Sequence, residues 1–305
     1  MSNVKPNLGM ESTSAFLESY FGTKVTELQL ITKGETSQAY TFRHQDDDYV
    51  IRFNHFEDGF LRDSYAFETL TAYGIPVPRI IDINEFNNMF FAISERVHGN
   101  TLDAYKPDQI EFVIPSLVDV LMKLRSANVD STRGYGPIGH SGDGLYQSWT
   151  EHLEAFFCEK QSGFWYGWTE LFEDTFLEKR VFDVIQPRMM KYATYCNSVR
   201  EFVHGDLSLD NALSDGQSLT GIIDWGNARY GDGLYDVSWF HFWTPRFNLP
   251  KRFLQCCEAQ GIEVPHFEER ILCHTYSQGL DALRFYAKTG RLDAYTQVRD
   301  HLLSL

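Results

Sequence analysis

The stretch "FVHGDLSLDNALSDGQSLTGIIDWGNARYGD", residues 202–232, decides how the rest of this chain is read. Two short apolar runs, Phe202-Val203 and Gly221-Ile222-Ile223, are each followed by a carboxylate: Asp206 after the first and Asp224 after the second. Asn211 stands between them, five residues beyond Asp206. Apolar runs of this length, bounded by glycine and polar residues, read as short buried strands. A side chain just past the end of such a strand has a rigid support and is placed for chemistry.

The whole chain has 305 residues, which is long for one small core and implies two lobes. Apolar residues make up 43%, so the chain is globular rather than disordered. The longest apolar run, Met89 to Ile93, is far short of the roughly 20 residues a membrane-spanning helix needs. The N-terminal "MSNVKPNLGM" has no apolar core and reads as no secretory signal, so a cytoplasmic location is expected. The cysteines Cys158, Cys196, Cys256, Cys257 and Cys273 are odd in number and form no CxxC pair. They read as reduced, mostly buried thiols rather than disulfides or a zinc site. A net charge of −15 argues against nucleic acid and anionic membrane as partners and suits a cationic small-molecule ligand.

Along the chain, "STSAFLESYFG" (12–22) has a helical apolar face. The runs "ELQLITKG", "SQAYTFR" and "YVIRFN" read as strands, "LRDSYAFETLTAYG" (61–74) as a helix ended by Gly74, and "RIIDINEF" and "MFFAISERV" as two further strands. The first 96 residues thus read as a small lobe of about five strands and one or two helices. Residues 97–305 read as a second, mainly helical lobe. Helices are expected over 108–127, 148–159, 170–197, 233–243, 249–260, 266–288 and 292–303, with the quoted runs as its only strands. The glycine-rich "SANVDSTRGYGPIGHSGDGLYQSW" reads as a long loop.

The quoted stretch keeps the spacing of the kinase catalytic loop, H-R-D-x-x-x-x-N followed by a strand-borne D-F-G, here as "HGDLSLDN" and Asp224-Trp225-Gly226. Phosphoryl transfer needs a carboxylate to accept or orient the attacking hydroxyl proton, and hard oxygen ligands to hold Mg²⁺ against the nucleotide phosphates. Asp206 fits the first requirement; Asn211 and Asp224 fit the second.

The segment "VHGDLSLDNAL…GIIDWGNARYGDGLYDVSWF" resembles the aminoglycoside phosphotransferase family, whose pattern is HGDxxxxN followed by IDWxxxxxGDxxxD. Further segments, among them "LITKGETSQAYTF", "GYGPIGHSGDGLYQSW" and "QGLDAL", resemble its hygromycin B-type members, and the likeness runs from about residue 14 to 300. The resemblance implies an α+β, two-lobed, protein-kinase-like fold that uses ATP and Mg²⁺. It assigns Asp206 as catalytic base and Asn211 and Asp224 as metal ligands. His204 would brace the loop, Asp232 would cap the next helix, and Asp236 would pin the catalytic-loop backbone.

In the first lobe, "TKGETSQAY" carries only Gly34 where kinases have a glycine-rich loop, so Thr36 and Ser37 are candidate phosphate donors. Arg52 stands at the kinase strand-lysine position. Its partner is expected to be Asp63, with Glu68 the alternative. The family places adenine against the backbone of Glu95 and Val97. For the acceptor, Asp210, Asp143, Glu268 and Asp281 are candidate carboxylates for ammonium groups, with Asp210 and Asp281 preferred. Trp165, Tyr166 and Trp168 are a candidate aromatic wall for a sugar, but core or lobe packing is the favoured reading of them. The expected activity is ATP-dependent O-phosphorylation of an aminoglycoside or aminocyclitol of the hygromycin B type. A sugar or amino-alcohol kinase of the same fold and a nucleotide-binding pseudokinase are the alternatives.

Overall fold

The computed structural model of the chain describes residues 5–34 and 36–305; the first four residues of the N-terminal stretch, and Glu35 of "TKGETSQAY", lie outside the described residues. The chain forms two compact units, Met1–Val113 with Leu209–Asn227, and Ile114–Ser208 with Ala228–Leu305. The opening stretch is therefore shared: Asn211 and Asp224 belong to the first unit, and Asp206 to the second.

The first unit contains α1 (Met10–Phe21), β1 (Thr26–Ile31), β2 (Gln38–His44), β3 (Asp47–Asn54), α2 (Asp58–Leu70), β4 (Ile80–Phe86), β5 (Met89–Glu95) and β6 (Asn100–Thr101). It also takes the start of α3 (Pro107–Ser126) and a hairpin of β10 (Ala212–Ser214) and β11 (Leu219–Ile222). Its main sheet is antiparallel in the order β1-β2-β3-β5-β4. Period-two alternation sorts the two faces. Tyr40, Phe42, Ile51, Phe53, Phe91 and Ile93 form one core with Phe16 and Leu17 of α1. In β3, Arg52 lies between Ile51 and Phe53 and so emerges on the other face, where its guanidinium sits 5.1 Å from the Phe60 ring of α2. Helix α2 buries Phe60, Asp63, Ala66 and Leu70, a spacing that lines one helical face. Five strands and two helices match the expectation for this part of the chain.

The second unit contains β7 (Tyr135–Ile138), β8 (Gly144–Tyr146), α4 (Trp149–Phe156), α5 (Leu171–Asp174), α6 (Lys179–Cys196), β9 (Glu201–Val203) and β12 (Arg229–Gly231), then α7 (Leu234–Trp243), α8 (Leu249–Ala259), α9 (Phe267–Lys288) and α10 (Leu292–Ser304). Its core is built on α6 and α9. Val181, Ile185, Met189, Ala193 and Cys196 of α6 meet Cys273, Tyr276, Leu280, Leu283 and Ala287 of α9. A sheet in the order β8-β7-β12-β9 carries the start of the catalytic loop, with Arg229 paired to Val203. All five cysteines are free thiols, and Cys196, Cys257 and Cys273 are buried. Among the described residues, no helix is long and apolar enough to cross a membrane.

Two expectations need correction. The glycine-rich segment is not a plain loop: β7 and β8 pair antiparallel within it. Gly134 adopts φ +73, and a Cβ there would lie 2.3 Å from the Gly144 carbonyl oxygen, so the glycines permit a close backbone crossing. The single helix expected over 170–197 is broken between α5 and α6. Thr175 turns to extended backbone; its hydroxyl donates to Leu171 O and accepts from Leu177 N. This side-chain bonding competes with the helix ladder. Several strands of two or three residues, such as β6, β10 and β12, are too short to show alternation in sequence.

Candidate active site

In the first unit, the β10–β11 ladder brings the proposed metal ligands side by side. Ala212 pairs with Ile222, and Ile223 N donates to Asn211 O at 2.9 Å. Asn211 and Asp224 therefore lie at adjacent ends of neighbouring antiparallel strands. The hairpin closes at Asp215, whose Oδ1 accepts from the Gln217 and Ser218 amides. Gly221 is required because a Cβ there would meet Val97 Cγ1 at 2.5 Å.

Asp224 is exposed and takes a left-handed backbone, φ 62, which aspartate tolerates better than most residues. The turn beyond it is fixed on α2. Trp225 N donates to Asp63 Oδ1 at 2.7 Å, and Arg62 Nη1 donates to Gly226 O at 2.9 Å. The other Asp63 oxygen accepts from Arg52 Nη2 at 2.6 Å, so Asp63, not Glu68, is the partner of Arg52. Burial and the nearby Asp224 push the Asp63 carboxyl up against the downward pull of Arg52 and the Trp225 amide. Ser37 Oγ accepts from Asn54 Nδ2 at 2.9 Å. Glu95 ends β5 opposite Tyr49 and donates its amide to Arg79 O, while the Val97 side chain packs on Gly221. Asp210 is exposed, 3.9 Å from Lys33 Nζ, and burial and the Asp103 carboxylate push its carboxyl up.

In the second unit, Asp206 follows β9 on a loop anchored from α7. The Asp236 carboxylate accepts from His204 N at 2.7 Å and Gly205 N at 2.9 Å. Asp206 N donates to Nδ1 of the fully buried His204 at 3.1 Å. Asp236 therefore pins the loop and His204 braces it, as expected. Asp232 accepts from Leu234 N at the start of α7 and from Arg270 through both oxygens, at 2.6 and 2.7 Å. Arg270 and His274 hold the buried Asp232 well below the usual carboxylate range despite its desolvation. Asp281 pairs with Arg284 at 2.6 Å. Burial pushes the Tyr235 hydroxyl up, and the charges of Asp281, Asp236 and Asp206 add to the effect while Arg229 opposes it. Asp143 accepts from the Arg133 amide, and Glu268 is exposed in the first turn of α9. Trp168 is buried in the core cluster, whereas Tyr166 is 77% exposed.

The sequence does not single out Arg62, Glu201, Arg270, His274 or Arg284. Arg270 and His274 are four apart on α9, a spacing that places both on one helical face, but only the fold shows that this face meets Asp232.

Residues 27–270 match the sequence profile described as the phosphotransferase enzyme family. The chain belongs to this family. It is a phosphotransferase, as the resemblance implied. It is 31% identical over 294 residues to hygromycin-B 4-O-kinase of Escherichia coli, covering 96% of this chain and 80% of that one. It is also similar to the crystal structure of a thermostable mutant of aminoglycoside phosphotransferase APH(4)-Ia in ternary complex with ADP and hygromycin B. That match has a TM-score of 0.82 and 27% identity, over 96% of this chain and 97% of the other. Spectinomycin phosphotransferase APH(9)-Ia, at 13% identity and a TM-score of 0.64 over 97% of this chain and 95% of the other, shares the fold.

Proposed function

We propose that this phosphotransferase moves the γ-phosphoryl group of ATP to a hydroxyl of an aminocyclitol antibiotic of the hygromycin B type. The observation that carries the reading is the placement of Asn211 and Asp224 on one ladder, with the Arg52–Asp63 pair fixed to the same turn through Trp225. The amide and carboxylate oxygens suit Mg²⁺, which prefers few hard protein ligands and keeps several waters. Glycine at 226 keeps the space beside Asp224 open: a Cβ there would stand 3.4 Å from Asp224 Oδ1. When bound, the ion neutralises charge on the β- and γ-phosphates.

Asp206 takes or orients the acceptor hydroxyl proton, and the amides locked by Asp236 keep that carboxylate from wandering. Arg52 is always charged and offers its fork to phosphate oxygens. Ser37 adds a hydroxyl donor, and the backbone of Glu95 and Val97 receives adenine. Asp210 and Asp281 receive acceptor ammonium groups, each such charged hydrogen bond contributing about 1.5–3 kcal/mol. The chain's net charge of −15 favours a cationic acceptor, and its free thiols agree with the reducing cytoplasm. Residues 1–96 serve as the nucleotide lobe and 97–305 as the lobe of catalytic loop and acceptor.

The test is incubation with Mg·ATP and a panel of aminoglycosides, sugars and amino alcohols, with products read by mass. A single added phosphoryl group on hygromycin B is expected. Asp206→Asn should lower turnover by about 10²–10⁴. Transfer to sugars or amino alcohols alone overturns the acceptor, and near-normal turnover of the variant overturns the base.

A further inference from the structure

We propose that His274 of α9 is a positioning residue for the catalytic loop, acting through Asp232 and Asp236 on the backbone that carries Asp206. The proposal rests on the reading of Asp206 as the base.

His274 is fully buried and takes no part in the chemistry described above. Its Nε2 lies 3.1 Å from Asp232 Oδ2, while its Nδ1 has no hydrogen-bond partner among the described residues. The ring is therefore held through one polar edge, and that edge faces the residue that starts α7. Asp232 caps Leu234 N, and Asp236, one turn on, grips the amides of His204 and Gly205. A continuous set of contacts thus runs from α9 to the loop.

The groups facing His274 come from four elements. They are Cys196 Sγ of α6 at 3.9 Å, Arg270 and Cys273 of α9, the Trp149 ring of α4, and Asp232, Tyr235 and Asp236 at and within α7. Around Asp236 stand the two loop amides, Arg229 of β12 and His274. Arg270 already neutralises Asp232 with a two-pronged ion pair. The charge of His274 is then felt at Asp236.

Burial favours the neutral imidazole, but the Asp232 carboxylate, 3.1 Å from Nε2, opposes it and raises its pKa. Burial also raises Asp236 to about 6, even with two amides and two cations opposing it. An ionised Asp236 accepts from both amides. A protonated one turns an acceptor into a donor and releases part of the loop. A cationic His274 favours the ionised form and so extends loop anchoring to lower pH.

The experiment is His274→Gln in the full chain, which keeps a donor for Asp232 and removes the charge. The acid limb of the kcat profile should move to higher pH by about half a unit or more, with KM for ATP unchanged. A limb superimposable on that of the unmodified enzyme overturns the proposal. A second measurement needs no variant: ¹⁵N NMR of the unmodified protein at pH 7.5 should show both His274 ring nitrogens protonated, and a neutral ring overturns the proposal. Asp206→Asn separates the two readings. An active Asp206→Asn enzyme sinks the base assignment. An inactive one beside an unshifted His274→Gln profile sinks only the role of His274.

Discussion

Asp63 binds Arg52 with one carboxylate oxygen, at 2.6 Å, and spends the other on the amide of Trp225, at 2.7 Å. The strand arginine and the turn that carries Asp224 are thus fixed by one side chain of α2. Asp63→Ala takes the hydrogen-bonded ion-pair partner from a mostly buried guanidinium, a change that costs about 3–5 kcal/mol. Chemical denaturation should show that loss, and KM for ATP should rise with it. Arg52→Lys keeps the charge and loses the fork. It should lower kcat/KM for ATP by about 10–100-fold, the equivalent of one charged hydrogen bond, with little change in unfolding midpoint.

Glu201 gives the protein a pH-dependent stability. It is largely but not fully buried at the start of β9, with Oε2 accepting from Gly233 N at 3.1 Å and Oε1 3.4 Å from Arg125 Nε. Burial raises its pKa to about 7 from the ordinary 4.5, Asp232 adding to the effect and Arg125 and Arg270 opposing it. A raised carboxyl pKa favours the protonated form in the folded state. Its contribution is therefore complete below the unfolded value and is lost as pH rises through about 7. Glu201→Gln keeps an acceptor for Gly233 and removes the titration. Between pH 5 and 8 the unmodified protein should lose up to about 3 kcal/mol relative to the variant in urea melts. Parallel curves would refute the assignment.

Gly231→Ala should be strongly destabilising. A Cβ at this position would lie 2.2 Å from Cζ3 of Trp149, and that indole is fully buried. Neither the β12 backbone nor the ring can yield cheaply, so a loss of at least about 2 kcal/mol is expected by denaturant titration. Trp149→Phe in the same background should recover part of it.

Arg284 is enclosed by the rings of Phe156, Phe157, Trp165 and Trp168, with its Cζ 4.9, 4.8, 4.2 and 4.8 Å from their centroids. Arg284 pairs with Asp281, and its Nη1 donates to Phe156 O. Arg284→Ala should cost about 3 kcal/mol or more, because both the cation–π contacts and the ion pair go. Tryptophan fluorescence should shift to the red. If Asp281 receives the acceptor, KM for the aminocyclitol should change more than KM for ATP.

Much of this was legible in the chain because it is local. The alternation of "YVIRFN" separates Ile51 and Phe53 from Arg52, and the loop spacing fixes the order of Asp206, Asn211 and Asp224. The family and the α+β, kinase-like fold followed from that order and agree with the sequence profile and the solved relatives. What escaped is non-local or very short. The β7–β8 hairpin depends on glycine backbones crossing at close range, not on apolar periodicity. The break at Thr175 depends on one hydroxyl. The roles of Glu201, His274 and Arg284 depend on which buried charges the fold brings together, and no window of sequence contains both members of those pairs except Asp281 and Arg284.

The left-handed backbone of Asp224, at φ 62, narrows what evolution can place at that position. Branched and bulky residues are excluded there by geometry before any chemistry is tested, which leaves glycine, asparagine and aspartate as tolerated tenants. Of these, only aspartate brings a full negative charge. A lineage that loses the acid at this site therefore has a short route to a stable, silent protein through Asn or Gly, and few routes through anything else.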